Sequence, residues 1–401
     1  MNVEPQPTAP RRIALVDGLR GFALLGILIV NITYFSTAYL RDLGLPDPQA
    51  TSWLDDATQW MMALLFEYKF YILFSFLFGY SFVLQMLSAE RQGKSFGRRM
   101  LRRLLGLFVI GSLHAVFLWH GDILTTYAVV GLFLLAMRGV SPNVAVAVGV
   151  VVLAAYAALW LMFTAVLSLE PFELDLGESM IEARDATAAY RGGFGDVLDQ
   201  RLIELPYYLG SIVIAQAPVA FAMFLFGLAA AKINLFAEVA RYRRDFKRAL
   251  MIALPIGVVG AIAYAETTFL DPNDPLLYAG ISIAALTAPF LTGSYVSIFV
   301  LASTKRAGAA VINALAPVGR MALSNYVLQS VLMGLVFFGY GLGYFGELGP
   351  FQTLLVALAI FATQIPISAW WLNRHTYGPL EWLLRAFTNF TIPAWRKQGS
   401  L

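Results

Sequence analysis

The stretch Leu15–Phe35 reads LVDGLRGFALLGILIVNITYF, with Asp17, Arg20 and Asn31 set into an apolar run. About 20 apolar residues rising 1.5 Å each cross ~30 Å of hydrocarbon, so this stretch predicts a transmembrane helix that carries polar groups inside it. Eleven residues are almost three whole turns, which puts Arg20 and Asn31 on nearly one face, roughly 16 Å apart along the axis. Asp17 lies about 50° from that line. A polar stripe of this kind suits a cavity better than lipid; the plainer alternative is an Asp–Arg staple plus a packing asparagine. Ile27 falls on the stripe, and Ile29 falls on the opposite face, expected to meet lipid.

The rest of the chain repeats the apolar theme. Of 401 residues 59% are hydrophobic and 13% charged, with a mean hydropathy of +0.69, whereas a soluble domain carries about 25% charged residues. Ten apolar stretches stand out: Leu15–Phe35, Trp60–Leu87, Leu101–Leu118, Ile123–Met137, Val144–Leu167, Tyr207–Ala231, Ala249–Ala265, Leu276–Leu301, Met321–Tyr344 and Phe351–Leu372. Basic residues mark alternate connections: Arg11 and Arg12; Arg91, Lys94, Arg98, Arg99, Arg102 and Arg103; Arg138; a run from Lys232 to Arg248; Lys305, Arg306 and Arg320; and the tail. The other connections are acidic or bare, as with Asp42, Asp47, Asp55 and Asp56 against Arg41. The positive-inside rule then predicts an all-α polytopic bundle of about ten spans, with both termini cytoplasmic, in a bacterial inner membrane. Residues 1–372 form the transmembrane domain in this reading, and residues 373–401 a cytoplasmic tail. The N-terminus lacks a cleavage signal, so the first helix reads as a retained span.

Composition also excludes some classes. A net charge of +3 does not argue for nucleic acid. With no cysteine and three histidines, neither a disulfide scaffold nor a structural metal site is expected. Between the fifth and sixth spans, at about 168–205, lies an acidic external loop in which Asp196–Leu205 could form a short helix. In the tail, Pro379 starts an amphipathic helix with Leu380, Leu383, Leu384 and Phe387 on one face and an i,i+4 Glu381–Arg385 pair on the other, expected to lie in the membrane interface.

Ionisable residues inside spans are costly and are therefore candidate functional groups. Glu67 and Lys69 precede an aromatic run in the second span; two apart on a helix, they point to different faces. His114 in the third span lies on the Arg103 face, eleven residues on, with His120 and Asp122 in the short connection that follows. Histidine is the natural base near neutral pH and a carboxylate can orient it, so His114, His120 and Asp122 form the catalytic candidates. Asn325 and Gln329 are i,i+4 in the ninth span; they read either as substrate contacts or as interhelical amide glue.

These residues also carry a resemblance. Val16-Asp17-Gly18-Leu19-Arg20-Gly21 through Asn31, Lys69-Phe70 with Leu73–Gly79, His114 with Trp119 and Gly121–Leu124, Gly319–Tyr326 and Tyr377–Trp382 together resemble the YeiB-like family, a domain-of-unknown-function group, over nearly the whole chain. The first helix is also similar to that of the transmembrane acyltransferases, including lysosomal heparan-glucosaminide N-acetyltransferase. That similarity implies transfer of an acyl group from cytoplasmic acyl-CoA to an acceptor, usually a sugar, across the membrane. It matches Asp17 and Arg20 to a structural Asp…Arg-Gly start and Asn31 to the outer asparagine. The chain departs in one respect: no histidine occurs in Ile32–Asp56, so His114 or His120 would have to serve.

Three functions follow as expectations. The first is an acyltransferase in which Arg98, Arg99, Arg102 and Arg103 gather the phosphates of acyl-CoA as co-substrate, with no tightly bound cofactor. Its acceptor would be a sugar or a lipid-linked molecule. The second is a transporter of a small or lipidic anion held by Arg20 and Lys69. The third is a non-catalytic membrane subunit docking through the external loop. The bilayer is the expected environment of all three, and a homodimer is compatible with each.

Overall fold

The computed structural model describes residues 14–39, 45–170 and 175–397; Arg11, Arg12, Arg41 and Asp42 lie outside them. In chain order the helices are α1 (Ala14–Ser36), α2 (Trp53–Leu65), α3 (Lys69–Arg91), α4 (Phe96–Phe117), α5 (Leu124–Ala136), α6 (Pro142–Leu169), α7 (Leu176–Tyr190) and α8 (Phe194–Ala215). Then come α9 (Ala217–Lys232), α10 (Val239–Thr267), α11 (Leu276–Ala302), α12 (Arg306–Arg320), α13 (Ala322–Phe337), α14 (Pro350–Arg374) and α15 (Pro379–Asn389). The local signals that start them are ordinary. Ser52 and Asp55 close a capping box on α2, Ser141 caps α6 ahead of Pro142, and Pro379 occupies the first turn of α15.

Among the described residues seven helices, with α2–α3 counted as one run, are long and apolar enough to cross a membrane. The number rises to nine if the bent pairs α8–α9 and α12–α13 each count as one span. The protein is a helical membrane protein. The expected fourth span, α5, has 13 residues and reaches only about 20 Å, short of a full crossing. The expected ninth span starts where the sequence places it, as α13 at Ala322. The residues before it, read from sequence as a connection, form α12, which meets α13 at 79°.

α12 packs along α1, and the glycines of the first span explain how. A Cβ on Gly21 would stand 2.3 Å from the Leu315 carbonyl oxygen, and one on Gly319 only 1.9 Å from that of Asp17. Only glycine allows the two backbones to approach so closely. α1 is thus surrounded by α3, α11, α12, α13 and α14. Ile29, expected to meet lipid, is 2% exposed. The lipid-facing role falls to helices such as α10, where Met251, Ile252 and Val259 are exposed.

Two more expectations are corrected. The stretch read as an external loop is largely helical. α7 docks on the bundle through buried Tyr190, and the Arg191 guanidinium donates to the carbonyls of Phe345 and Gly346. α8 runs on through Pro206 to Ala215, well past Leu205. In the tail, Glu381 does not pair with Arg385. It turns to the start of α13, where its carboxylate accepts from the Leu323 and Ser324 N–H groups and the Ser324 hydroxyl, because the free N–H groups of a helix start are the stronger partner.

Candidate functional site

The bundle has a basic end, where Arg20, Arg99 and Arg103 lie, and an opposite end reached by Asn31 and His114. In the opposite half a cavity of about 310 Å³ opens among α1, the α2–α3 junction, the turn after α4, α8, α10 and α13. Its walls are mainly aromatic, including Tyr34, Tyr68, Tyr71, Trp119, Tyr208 and Tyr264. Asn31, Gln216 and Glu67 are the polar groups that set its chemistry.

Glu67 reaches the cavity because the second span is broken. The helix stops at Leu65 and restarts at Lys69, with Tyr68 left-handed at φ 62°. A tyrosine holds that backbone only where its surroundings enforce it. The carbonyls released by the break are satisfied by the protein: the Tyr295 hydroxyl donates to Leu65 O at 2.9 Å and the Lys69 ammonium to Ala63 O at 2.7 Å. Lys69 is therefore a buried cap on the carbonyl end of α2, where a cation is favoured, and is not a cavity residue. The Glu67 carboxylate accepts from the Tyr264 hydroxyl at 2.6 Å. A second interruption, at Gln216 between α8 and α9, borders the same cavity.

Behind the wall formed by Trp119, Gly121 and Tyr326 lies a buried polar relay. His114 Nε2 is 2.8 Å from Ser330 Oγ on α13. Its Nδ1 is 3.0 Å from Asp122 Oδ1, an ion-pair distance whose direction is poor for a ring N–H. The other Asp122 oxygen accepts from Thr125 N at 2.7 Å, so the carboxylate also caps the first turn of α5. All three side chains are at most 2% exposed. The His114 ring lies against Tyr326, centroids 5.0 Å apart, and Tyr326 faces the cavity. A histidine held between a carboxylate and a hydroxyl has the arrangement that activates a nucleophile or accepts its proton.

His120 is placed differently. Its Nδ1 lies 3.4 Å from Glu204 Oε2, and its ring packs on Tyr208 at 3.9 Å. Glu204 also accepts from Tyr190 and Gln200, so this pair belongs to the α7–α8 cap. Asn325 and Gln329 join α13 to α14 through Ser368 and Gln364, away from the cavity. Asp17 and Arg20 pair at 2.8 Å at the basic end, with Arg20 also donating to Ser81. Of the residues singled out in the sequence, then, Asn31 and Glu67 line the cavity and His114 and Asp122 stand behind it. Ser330 carried no local signal: it lies 216 residues from its histidine partner.

Comparison with known proteins gives the chain its relatives. Residues 230–391 match the family described as "Protein of unknown function (DUF418)". The chain is 34% identical over 404 residues to "Uncharacterized protein YxaH" of Bacillus subtilis (strain 168), covering 96% of both. It is 28% identical over 390 residues to "Uncharacterized 39.9 kDa protein in amylase 3'region" of Bacillus acidopullulyticus, covering 94% of both. It is 29% identical over 410 residues to "Uncharacterized protein YeiB" of Escherichia coli (strain K12), covering 94% of this chain and 96% of that one.

Proposed function

The chain belongs to this YeiB-like family of proteins of unknown function (DUF418), and on that premise we propose that it is a membrane-embedded acyltransferase. Its donor would be a cytoplasmic acyl-CoA and its acceptor an extracytoplasmic hydroxyl or amine, such as that of a sugar or a lipid-linked sugar. The distribution of lysine and arginine supports ten spans in a bacterial inner membrane with both termini, and the basic end, in the cytoplasm. In that topology each bent pair counts as one span and the short α5 as the tenth, the rest of its crossing left to the connections at its ends.

The observation that carries the reading is His114 set between Asp122 and Ser330 behind an aromatic cavity. The Ser330 hydroxyl would attack the thioester carbonyl while His114 takes its proton. The thiol of CoA would leave with that proton. The acceptor hydroxyl would then attack the acyl-serine, give its proton to His114 and restore Ser330. Asp122 would hold the imidazole in place. Aromatic rings with Asn31 and Gln216 supply the stacking faces and hydrogen bonds that a sugar acceptor uses.

The test is labelling of the purified protein in liposomes with radiolabelled acetyl-CoA, followed by mass spectrometry of the Ser330 peptide. Acylation of wild type, absent in Ser330→Ala and His114→Ala, is expected. Equal labelling of wild type and both variants overturns the reading.

A second reading, transport, rests on the two interruptions at Phe66–Tyr68 and Gln216. Unwound backbone beside a mid-membrane cavity is how many transporters hold their cargo. Solute flux into liposomes without any acyl donor would favour it.

A further inference from the structure

We propose that the basic end of the bundle holds a binding site for a phosphate-bearing anion, formed by Arg99 and Arg103 of α4, Arg385 of α15 and Arg20 of α1. The positive-inside rule accounts for arginines on this connection, but not for their being folded against one another. Arg99 and Arg103 are i,i+4 on α4, where like charges destabilise a helix, and Arg99 sits at its first turn, where the helix itself is positive. Arg385, Arg20 and Arg99 all lie within electrostatic reach of Arg103. Arg99 Nη1 and Arg103 Nε are shielded from solvent and have no hydrogen-bond partner.

The nearby carboxylates offset these charges only in part. Asp17 is engaged by Arg20, and Glu381 by the first residues of α13. Arg385 rests on the Tyr377 ring, 4.4 Å from its centroid. The two arginine pairs of the sequence, Arg98–Arg99 and Arg102–Arg103, therefore divide. Arg98 is exposed, and Arg102 is satisfied by the Thr388 carbonyl at 3.2 Å and the face of Phe390. Arg99 and Arg103 keep donors to spare. A phosphate group presents several charged acceptor oxygens that guanidinium forks grip in pairs, and it would relieve the repulsion among the four. Two sources carry that chemistry: the headgroup of an anionic phospholipid and the phosphates of a soluble nucleotide-like molecule such as coenzyme A. The site stands whether or not the acyltransferase reading does.

The experiment uses the full-length protein in phosphatidylcholine nanodiscs. Binding is measured by calorimetry with free coenzyme A, and by native mass spectrometry with added phosphatidylglycerol. Saturable binding of at least one is expected, weakened about tenfold or more in Arg99→Gln/Arg103→Gln, as for loss of a charge-assisted pair. Arg98→Gln should bind as wild type. Arg385→Gln, at an exposed position on α15, repeats the test should the double variant fail to fold. Coenzyme A alone identifies a soluble ligand, phosphatidylglycerol alone a lipid, and both together a general phosphate site. Wild type binding neither, or Arg385→Gln and the double variant binding both undiminished, overturns the proposal.

Discussion

The two ends of the bundle solve opposite electrostatic problems. Around the cavity each carboxylate has a partner within the protein: Glu67 has Tyr264, Asp122 has His114 and Thr125, and Glu204 has Tyr190 and Gln200. What faces the open space is therefore mostly aromatic ring and amide. At the basic end the carboxylates are taken up by a helix start and by one arginine, and guanidinium donors are left over. Buried groups with partners make a fixed, nearly neutral chamber, whereas surplus donors call for an anion from outside. The contrast teaches that the partners of the acidic residues, and not the count of charges, decide what each end can hold.

The strongest way to break this contrast is at His114. His114→Ala should lower acyl transfer by about 10²–10⁴-fold, the range of a positioned base, in membranes where the protein still accumulates normally. His120→Ala alters only the α7–α8 cap and should fall far less. Equal losses, measured as product formed per milligram of protein, would mean that the two histidines are not distinguished by their surroundings.

The next effect is on stability. Gly319→Val puts side-chain carbon onto the Asp17 carbonyl, where neither backbone can retreat. It should destabilise the fold by about 1–3 kcal/mol or more, as overpacking does. A thermal midpoint in detergent equal to wild type would deny the close crossing of α1 and α12. At the cavity, Tyr264→Phe removes the donor to Glu67. Leaving a buried acceptor unsatisfied costs about 1–3 kcal/mol, so the same assay should show a comparable drop.

The smallest effect is in the pH dependence of the basic end. Burial pushes the Glu381 carboxyl up from 4.5, with the Ser324 hydroxyl and backbone N–H groups working against it. A raised folded-state value means that the native protein holds this proton more tightly. The contribution to stability is thus fully present below the unfolded value near 4.5, and it is lost as pH rises through the folded value. Glu381→Gln keeps an acceptor for Leu323 and does not titrate, so the fall in thermal midpoint above pH 4.5 should flatten. An unchanged slope would show that Glu381 does not titrate differently on folding.

Hydropathy alone identifies this chain as a helical membrane protein, because a helix in lipid must satisfy its own backbone and present apolar side chains over a fixed length. Asn31 does reach a cavity, and His114 and Asp122, eight residues apart across a short turn, come together, but the same spacing misplaces Ile29, which is buried. Where a helix breaks, the periodic argument fails. Helical spacing assigns Glu67 and Lys69 to two faces of one helix, yet the interruption at Tyr68 sends one to the cavity and the other to a carbonyl. α12 escaped hydropathy because its burial comes from a glycine crossing with α1, not from a continuous apolar run. Ser330 as the partner of His114, and the different settings of Arg99 and Arg102, were decided only by the tertiary structure. Each depends on contact between helices far apart in the chain, and periodicity within one helix carries no information about which neighbour covers it.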